Sequence, residues 1–325
     1  MSIACTLITG ATGFIGSHVA EQLLRDESWP VIAIVRGGKG YKNTDVLKQQ
    51  GAHLLKGCFY EPDLLDSVFR RFPIENVIHI AGLTGEGKGD WEDYFGLNVL
   101  GTEALLSAAY RHKAKKFIYF SSVGVFGTTP VEVPADLKTP EKADNTYHRS
   151  KLTAEEKVRG FIEKGLDAFI VRPTIVYGNG DHGFPYRLVK MVRNRVLFLP
   201  FHDNRIHLLS VNSLSEMALR LLKTDRLHNR VFIAADEGPV VLRELVDLIH
   251  SYFFGRNYPG ILKMPRAVFE VFQTVFRMTR NLEWLGRVQR ISGDWCFDTR
   301  ETDTLIQFQP ANTQKEFKRY LNHLK

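Results

Sequence analysis

The strongest constraint on the fold lies in the first eighteen residues. A short β-branched run, Thr6-Leu7-Ile8-Thr9, passes directly into Gly10-Ala11-Thr12-Gly13-Phe14-Ile15-Gly16-Ser17-His18 and then into a helical pattern. Three glycines between a strand and a helix have distinct uses. Gly10 permits a tight turn, Gly13 lets backbone approach a diphosphate, and Gly16 lets the helix pack closely on the strand. Unpaired N–H groups at the positive end of the helix dipole then face the anion. Gly10, Thr12, Gly13, Phe14, Ile15 and Gly16 are the candidate contacts to a dinucleotide.

The rest of the first half repeats the same unit. Cys5 to Thr9, Val31 to Arg36, His53 to Lys56, Asn76 to Ile80, Lys116 to Ser121 and Ala168 to Arg172 read as strands, short and mostly apolar, as in buried parallel sheets. Ser17 to Arg25, Pro62 to Arg71, Val99 to Arg111 and Tyr147 to Lys164 carry apolar residues at helical spacing. The pattern predicts an α/β, Rossmann-like, doubly wound parallel sheet. After Gly178 the alternation loosens into helices near Tyr186 to Asn194, Ser213 to Thr224, Leu242 to Phe254 and Arg266 to Arg280. Residues 1–178 are therefore expected to form the dinucleotide-binding domain, and 179–325 a smaller, mostly helical substrate-binding region interleaved with it.

Composition removes several classes. With 325 residues and 44% apolar side chains, the chain can bury a full core without metal or disulfide support. Cys5, Cys58 and Cys296 are odd in number and lack metal-site spacing, and the eleven histidines show none either, so no metal is expected. No basic leader and no apolar stretch of about 18 residues occur. A cytoplasmic protein is the expectation, and nothing resembles a nucleic-acid motif.

The second strand ends Ile34-Val35-Arg36. An NAD-preferring site places an acid at this tip for the ribose 2′-hydroxyl, whereas a cation suits the 2′-phosphate of NADP. Val35 occupies that position and Arg36 follows it, so NADP(H) is favoured over NAD(H); the neighbouring Lys39 reads as a solvated charge.

Tyr147 and Lys151 stand four residues apart on one helix face. The ammonium is expected to lower the phenol's pKa from about 10 towards working pH, making a general acid/base for a carbinol/carbonyl pair. Ser121-Ser122 ends a strand at the sheet's carboxyl edge, where ligands of open α/β folds bind.

These residues resemble the extended short-chain dehydrogenase/reductases, which include nucleotide-sugar epimerases, dehydratases and 3β-hydroxysteroid-dehydrogenase-like enzymes. Six ordered motifs carry the resemblance: the glycine loop, His79-Ile80-Ala81-Gly82, Asn98-Val99-Leu100-Gly101-Thr102, Ser121 to Gly127, the Tyr147/Lys151 pair, and Arg172-Pro173-Thr174-Ile175-Val176-Tyr177-Gly178. The resemblance implies Tyr147 as acid/base, Lys151 as its partner and a holder of the nicotinamide ribose, and Ser122 as the group that orients the substrate oxygen. It also implies cofactor contacts at Ala81, Gly82, Asn98, Pro173 and Val176, with a helix-cap role for Asn98 as the alternative. Family members commonly form homodimers through helices.

Departures from the family pattern narrow the substrate. Gly57-Cys58 replaces Gly-Asp at the adenine site. Ser122-Val123-Gly124 replaces the Thr-Asp-Glu of 4,6-dehydratases, which argues against dehydration. Ser210-Val211-Asn212-Ser213 and the loop Gly82 to Asp90 also differ from the common pattern, and Thr84 in that loop is a candidate substrate contact. Arg187, Arg193, Arg195 and Arg205 lie where nucleotide-sugar enzymes grip a diphosphate; Asn179 and Arg205 are the candidates retained. The expected reaction is hydride transfer at a carbinol or ketone carbon, as 4-keto reduction or C4 epimerisation of a nucleotide sugar. A reductase of a steroid-like or other lipophilic ketone, and a non-catalytic NADP-binding sensor or scaffold, are the alternatives.

The chain has 43 Lys+Arg against 36 Asp+Glu, a formal +7. Between Ile261 and Arg290 six cations (Lys263, Arg266, Arg277, Arg280, Arg287 and Arg290) face Glu270 and Glu283, an excess of 6 − 2 = +4. They accompany Val268, Phe269, Val271, Phe272, Val275 and Phe276. A peripheral contact with a membrane or acidic partner and a solvated face over the substrate pocket both fit this pattern.

Overall fold

Burial turns the apolar runs into strands of one sheet. β1 (Cys5–Thr9) and β6 (Ala168–Pro173) are buried at every position, and β2 (Val31–Val35), β4 (Ile74–His79) and β5 (Lys116–Phe120) nearly so, whereas β3 (His53–Lys56) is half-exposed. The sheet runs Val231–Ala234, β6, β5, β4, β1, β2, β3, so β3 occupies an edge. The ladders joining β1 to β2, β1 to β4, β2 to β3, β4 to β5 and β5 to β6 are parallel. In register, Thr9 pairs with Ile34 on one side and His79 on the other. Strand order therefore reverses between β1 and β4, which opens a crevice at their carboxyl ends. The strand Val231–Ala234 was not expected from sequence.

Crossover helices follow the strands: α1 (Phe14–Asp26), α2 (Thr44–Gln49), α3 (Pro62–Arg71), α4 (Trp91–Tyr94), α5 (Gly101–Arg111) and α6 (Thr146–Glu163). A capping box between Asp90 and Asp93 starts α4, and a π-helical stretch, Phe95–Leu100, carries it into α5. Leu7, Val77, Leu105, Leu106, Phe117, Val158 and Ile170 pack into one core cluster. Each such side chain, removed from water, stabilises the fold by about 1.5–3 kcal/mol.

The computed structural model describes residues 4–36, 43–85, 89–224, 227–228, 230–279 and 281–325. Gly37 to Lys39, Glu86 to Lys88 and Arg280 lie outside them. The chain divides into two compact units. The first comprises Met1–Ser122, Thr146–Arg172 and Leu214–Phe232; the second comprises Val123–Asn145, Pro173–Ser213 and Ile233–Lys325. The two units thus interleave several segments of the chain.

The second unit is mostly helical, as expected, with short strands added. It holds strand pairs between Ile175–Tyr177 and Leu208–Ser210, Arg205–Ile206 and Val240–Val241, and Leu199–Pro200 and Lys263–Met264. Strands of two or three residues are too short to show a period. Asp236 ties this unit together. Its buried carboxylate accepts hydrogen bonds from the Tyr177 hydroxyl (2.8 Å), the Thr313 hydroxyl (2.9 Å) and the Ser210 N–H (2.9 Å). Burial pushes its pKa up to about 6.

Candidate active site

The glycine loop is shaped by backbone contact. Gly10 has φ +79°, and a Cβ there would lie 2.7 Å from the Ala81 nitrogen. At Gly16 a Cβ would collide with the Gly10 carbonyl oxygen, so α1 lies directly on the turn. Gly13, the N-cap of α1, provides no side-chain cap, which leaves the first-turn N–H groups at Phe14 and Ile15 available to an anion. Thr12 passes behind them, its carbonyl accepting from Asn43 Nδ2 at 3.4 Å.

Ser122, Tyr147 and Lys151 come together where β5 ends and α6 begins. Lys151, 3% exposed, donates from Nζ to the Phe120 carbonyl at 2.7 Å and lies 4.7 Å over the Tyr119 ring. The Tyr147 phenol is hydrogen-bonded to the Ser122 hydroxyl, whereas the buried Ser121 hydroxyl has no side-chain or backbone partner.

The expected lowering of the Tyr147 pKa is not what the structure gives. Burial pushes it up to about 12, with the Ser122 hydrogen bond acting against the rise and the Tyr94 phenol adding to it. Burial also holds Lys151 down to about 8, against the pull of Glu155 one turn along. Desolvation of both groups outweighs the charge of Lys151 that their spacing suggests. Glu155 is itself buried. Arg172 donates to it from Nε (2.9 Å) and Nη2 (2.6 Å), and Arg159 at 2.9 Å.

Asn98 is not a helix cap. It sits inside the π-helical stretch, where its Nδ2 donates to the Leu83 carbonyl (3.0 Å) and Ser150 Oγ (2.9 Å) while its Oδ1 accepts from the Leu83 N–H (2.7 Å). It thereby ties the loop after β4 to α6. A Cβ on Gly82 would lie 2.9 Å from Asn98 Oδ1 and 3.8 Å from Lys151 Nζ, so it would press on the amide that holds this loop.

Behind Ala81 a buried chain runs Thr9–His79–Thr102–Asn98. Thr102 Oγ1 donates to the Asn98 carbonyl at 2.5 Å, which makes it the acceptor for His79 Nε2 at 2.9 Å. His79 Nδ1 then accepts from Thr9 Oγ1 at 2.6 Å. Burial holds the imidazole neutral, its pKa down to about 3, with Lys151 opposing its charge.

Further groups near Tyr147 escaped sequence reasoning. The Tyr94 ring lies 6.4 Å from the Tyr147 ring, its hydroxyl donating to the Gly85 carbonyl, and Arg149 lies 4.2 Å over Trp91. The Asp90/Asp93 capping spacing was the available signal for this short helix. Thr84 is exposed in the same loop, and Arg36 is exposed where β2 ends. Cys58 is hydrogen-bonded to the Tyr60 phenol and raises its pKa.

The remaining candidates belong to the second unit. Pro173 closes β6, Val176 pairs with Leu209, Asn179 is exposed after Gly178, and Arg205 is exposed opposite Val241. Among the described residues no cluster of His, Cys, Asp and Glu could hold a metal.

A doubly wound sheet with a glycine turn at its switch point, and a Tyr/Lys pair at its carboxyl edge, is the architecture of dinucleotide-dependent enzymes. A profile of the NAD dependent epimerase/dehydratase family matches residues 6–223, and the chain belongs to that family. It is 25% identical over 322 residues to UDP-glucose 4-epimerase of Vibrio cholerae, spanning 95% of this chain and 92% of that one. Against the Yersinia pestis UDP-glucose 4-epimerase it is 34% identical over 165 residues, 46% of each chain. In fold it is similar to the Thermotoga maritima UDP-glucose 4-epimerase with UDP-glucose (TM-score 0.77, 18% identity, 98% of each chain). It is equally similar to the Bacillus cereus UDP-glucuronic acid 4-epimerase in complex with NAD (TM-score 0.76, 18% identity, 97% of this chain and 96% of that one).

Proposed function

We propose that this enzyme interconverts the C4 epimers of a nucleotide sugar. The single observation that carries the reading is the Tyr147–Ser122 hydrogen bond, set one helical turn from a lysine that is fastened to Phe120. The glycine loop fits a nicotinamide dinucleotide, because Gly10 and Gly16 leave no room for a Cβ and α1 offers uncapped N–H groups. When bound, that cofactor would supply reversible hydride transfer at the carbinol carbon. Ser122 holds the sugar oxygen. Tyr147 takes the hydroxyl proton as the carbon is oxidised and gives it back on reduction, so the reaction has no net redox change. Lys151 supplies the positive charge that favours the phenolate. Asn98 holds the loop bearing Gly82 and Leu83 in place.

Val35 and the exposed Arg36 support NADP(H) over NAD(H), whereas the Bacillus cereus relative was solved with NAD. In this reading residues 1–178 carry cofactor and catalysis. Residues 179–325 recognise the nucleotide, with Asn179 and Arg205 as its polar contacts and Thr84 of the first domain facing the sugar. Leu100 (48% exposed) and Tyr110 (43%), at and near the ends of α5, support a homodimer formed through helices. The three free thiols suit a reducing cytoplasm.

The test is incubation of the purified protein and cofactor with UDP-glucose, UDP-N-acetylglucosamine and UDP-glucuronic acid, with products read by NMR. Appearance of the C4 epimer of one of them supports the reading. Conversion of none, with lipophilic ketones reduced instead, would overturn it.

A further inference from the structure

The helix Arg266–Met278 makes little use of its apolar residues inside the protein. Phe269 alone among its residues is buried, while Val271 (60% exposed), Phe272 (40%), Val275 (46%) and Met278 (80%) face outward. At about 3.6 residues per turn, these four fall on one continuous arc. Arg266, Glu270, Thr274 and Arg277 lie together along one edge of it. Next to it, the helix Leu282–Ser292 presents Trp284, 48% exposed, with its ring stacked 6.0 Å from Phe276 and the Arg287 guanidinium 4.7 Å over that ring.

An exposed apolar arc with cations along its rim has the anatomy of a helix lying in a membrane interface. Glu270 pairs with Arg266 at 3.1 Å, Arg277 adds a second cation to the rim, and the segment 261–290 as a whole carries 6 − 2 = +4. That charge decides between occupants. A second copy seated on this face by two-fold symmetry would bring two basic rims together. An anionic bilayer takes up the apolar arc and neutralises the rim in one contact. Among the described residues no helix is long and apolar enough to cross a membrane.

We propose that the exposed face of the Arg266–Met278 helix, with Trp284 beside it, docks the enzyme on an anionic phospholipid bilayer. Val271, Val275 and Met278 enter the acyl boundary, and Arg266 and Arg277 meet headgroup phosphates. This inference is independent of the sugar chemistry proposed above.

The test is flotation of the full chain with phosphatidylcholine vesicles, and with vesicles containing about one-third phosphatidylglycerol. Binding to the anionic vesicles should be at least about tenfold stronger and should weaken in high salt. The pair Val271→Glu and Val275→Glu should abolish it with the circular dichroism spectrum unchanged. Arg266→Glu with Arg277→Glu should weaken it by about tenfold. Should a variant fail to fold, the wild type and Trp284→Phe are compared for tryptophan quenching by brominated phosphatidylglycerol. The proposal requires more quenching in the wild type, and equal quenching contradicts it. No binding by the wild type, or equal binding to both vesicles, overturns it. So does a dimer in solution that the Val271→Glu and Val275→Glu pair converts to monomer, because a second copy then covers this face.

Discussion

Lys151 Nζ donates to the carbonyl of Phe120 at 2.7 Å, so the lysine of α6 is fastened to the last residue of β5. Its ammonium is held in place before any substrate arrives. Burial that lowers its pKa to about 8 makes this anchor sensitive to alkali. As pH rises through 8 the ammonium is lost, and with it the charge that the proposed mechanism uses to favour the phenolate. The pH profile of kcat/KM should therefore fall above pH 8. In Lys151→Met that limb should be missing and the rate reduced by on the order of 100-fold.

His79 gives a prediction about stability. Its pKa is about 3 in the folded chain against an ordinary 6.5, so between these values the unfolded state binds the extra proton. Its contribution is complete above pH 6.5 and is lost as pH falls towards 3, at up to about 1.4 kcal/mol per pH unit within the window. Replacement by a residue that cannot titrate, His79→Gln, should flatten the decline in Tm between pH 6.5 and 4. Thermal unfolding across that range is the measurement, and an unchanged slope would contradict the account.

The glycines differ in their tolerance. At Gly16 a Cβ meets the backbone of Gly10, whereas at Gly13 it lies 3.3 Å from the same carbonyl oxygen. Gly16→Ala should lower Tm markedly and remove cofactor binding, because backbone must move. Gly13→Ala should fold with a smaller loss of Tm and bind the cofactor less tightly. Differential scanning fluorimetry with and without cofactor separates the two.

How much of this was legible in the sequence follows from where the information lies. Cys5–Thr9, Pro62–Arg71 and Leu242–Phe254 match their expected bounds, because a buried strand or an amphipathic helix carries its own periodicity. The π-helical stretch around Asn98 did not announce itself, since its geometry answers to a loop fifteen residues earlier in the chain. Nor did the Glu155–Arg172 pair, whose members lie on different elements. The Tyr/Lys spacing correctly marked a helix face, but the rise of the Tyr147 pKa depends on burial, which spacing does not encode.

Arg36 is the residue by which cofactor choice is examined. If its exposed guanidinium at the end of β2 contacts a 2′-phosphate, Arg36→Ala should weaken NADPH binding by about tenfold or more and leave NADH nearly unchanged. Equal loss for the two, measured by fluorescence titration, would remove the basis for an NADP(H) preference.

The most direct test of the central claim is Tyr147→Phe, assayed for C4 epimerisation of the nucleotide sugar that the wild type converts. The ring and its packing remain, and only the oxygen shared with Ser122 is removed. The account predicts a protein that folds and binds the dinucleotide as the wild type does, with turnover reduced by about 100-fold or more. Turnover at the wild-type rate would show that the proton is moved by some other group, and would contradict it.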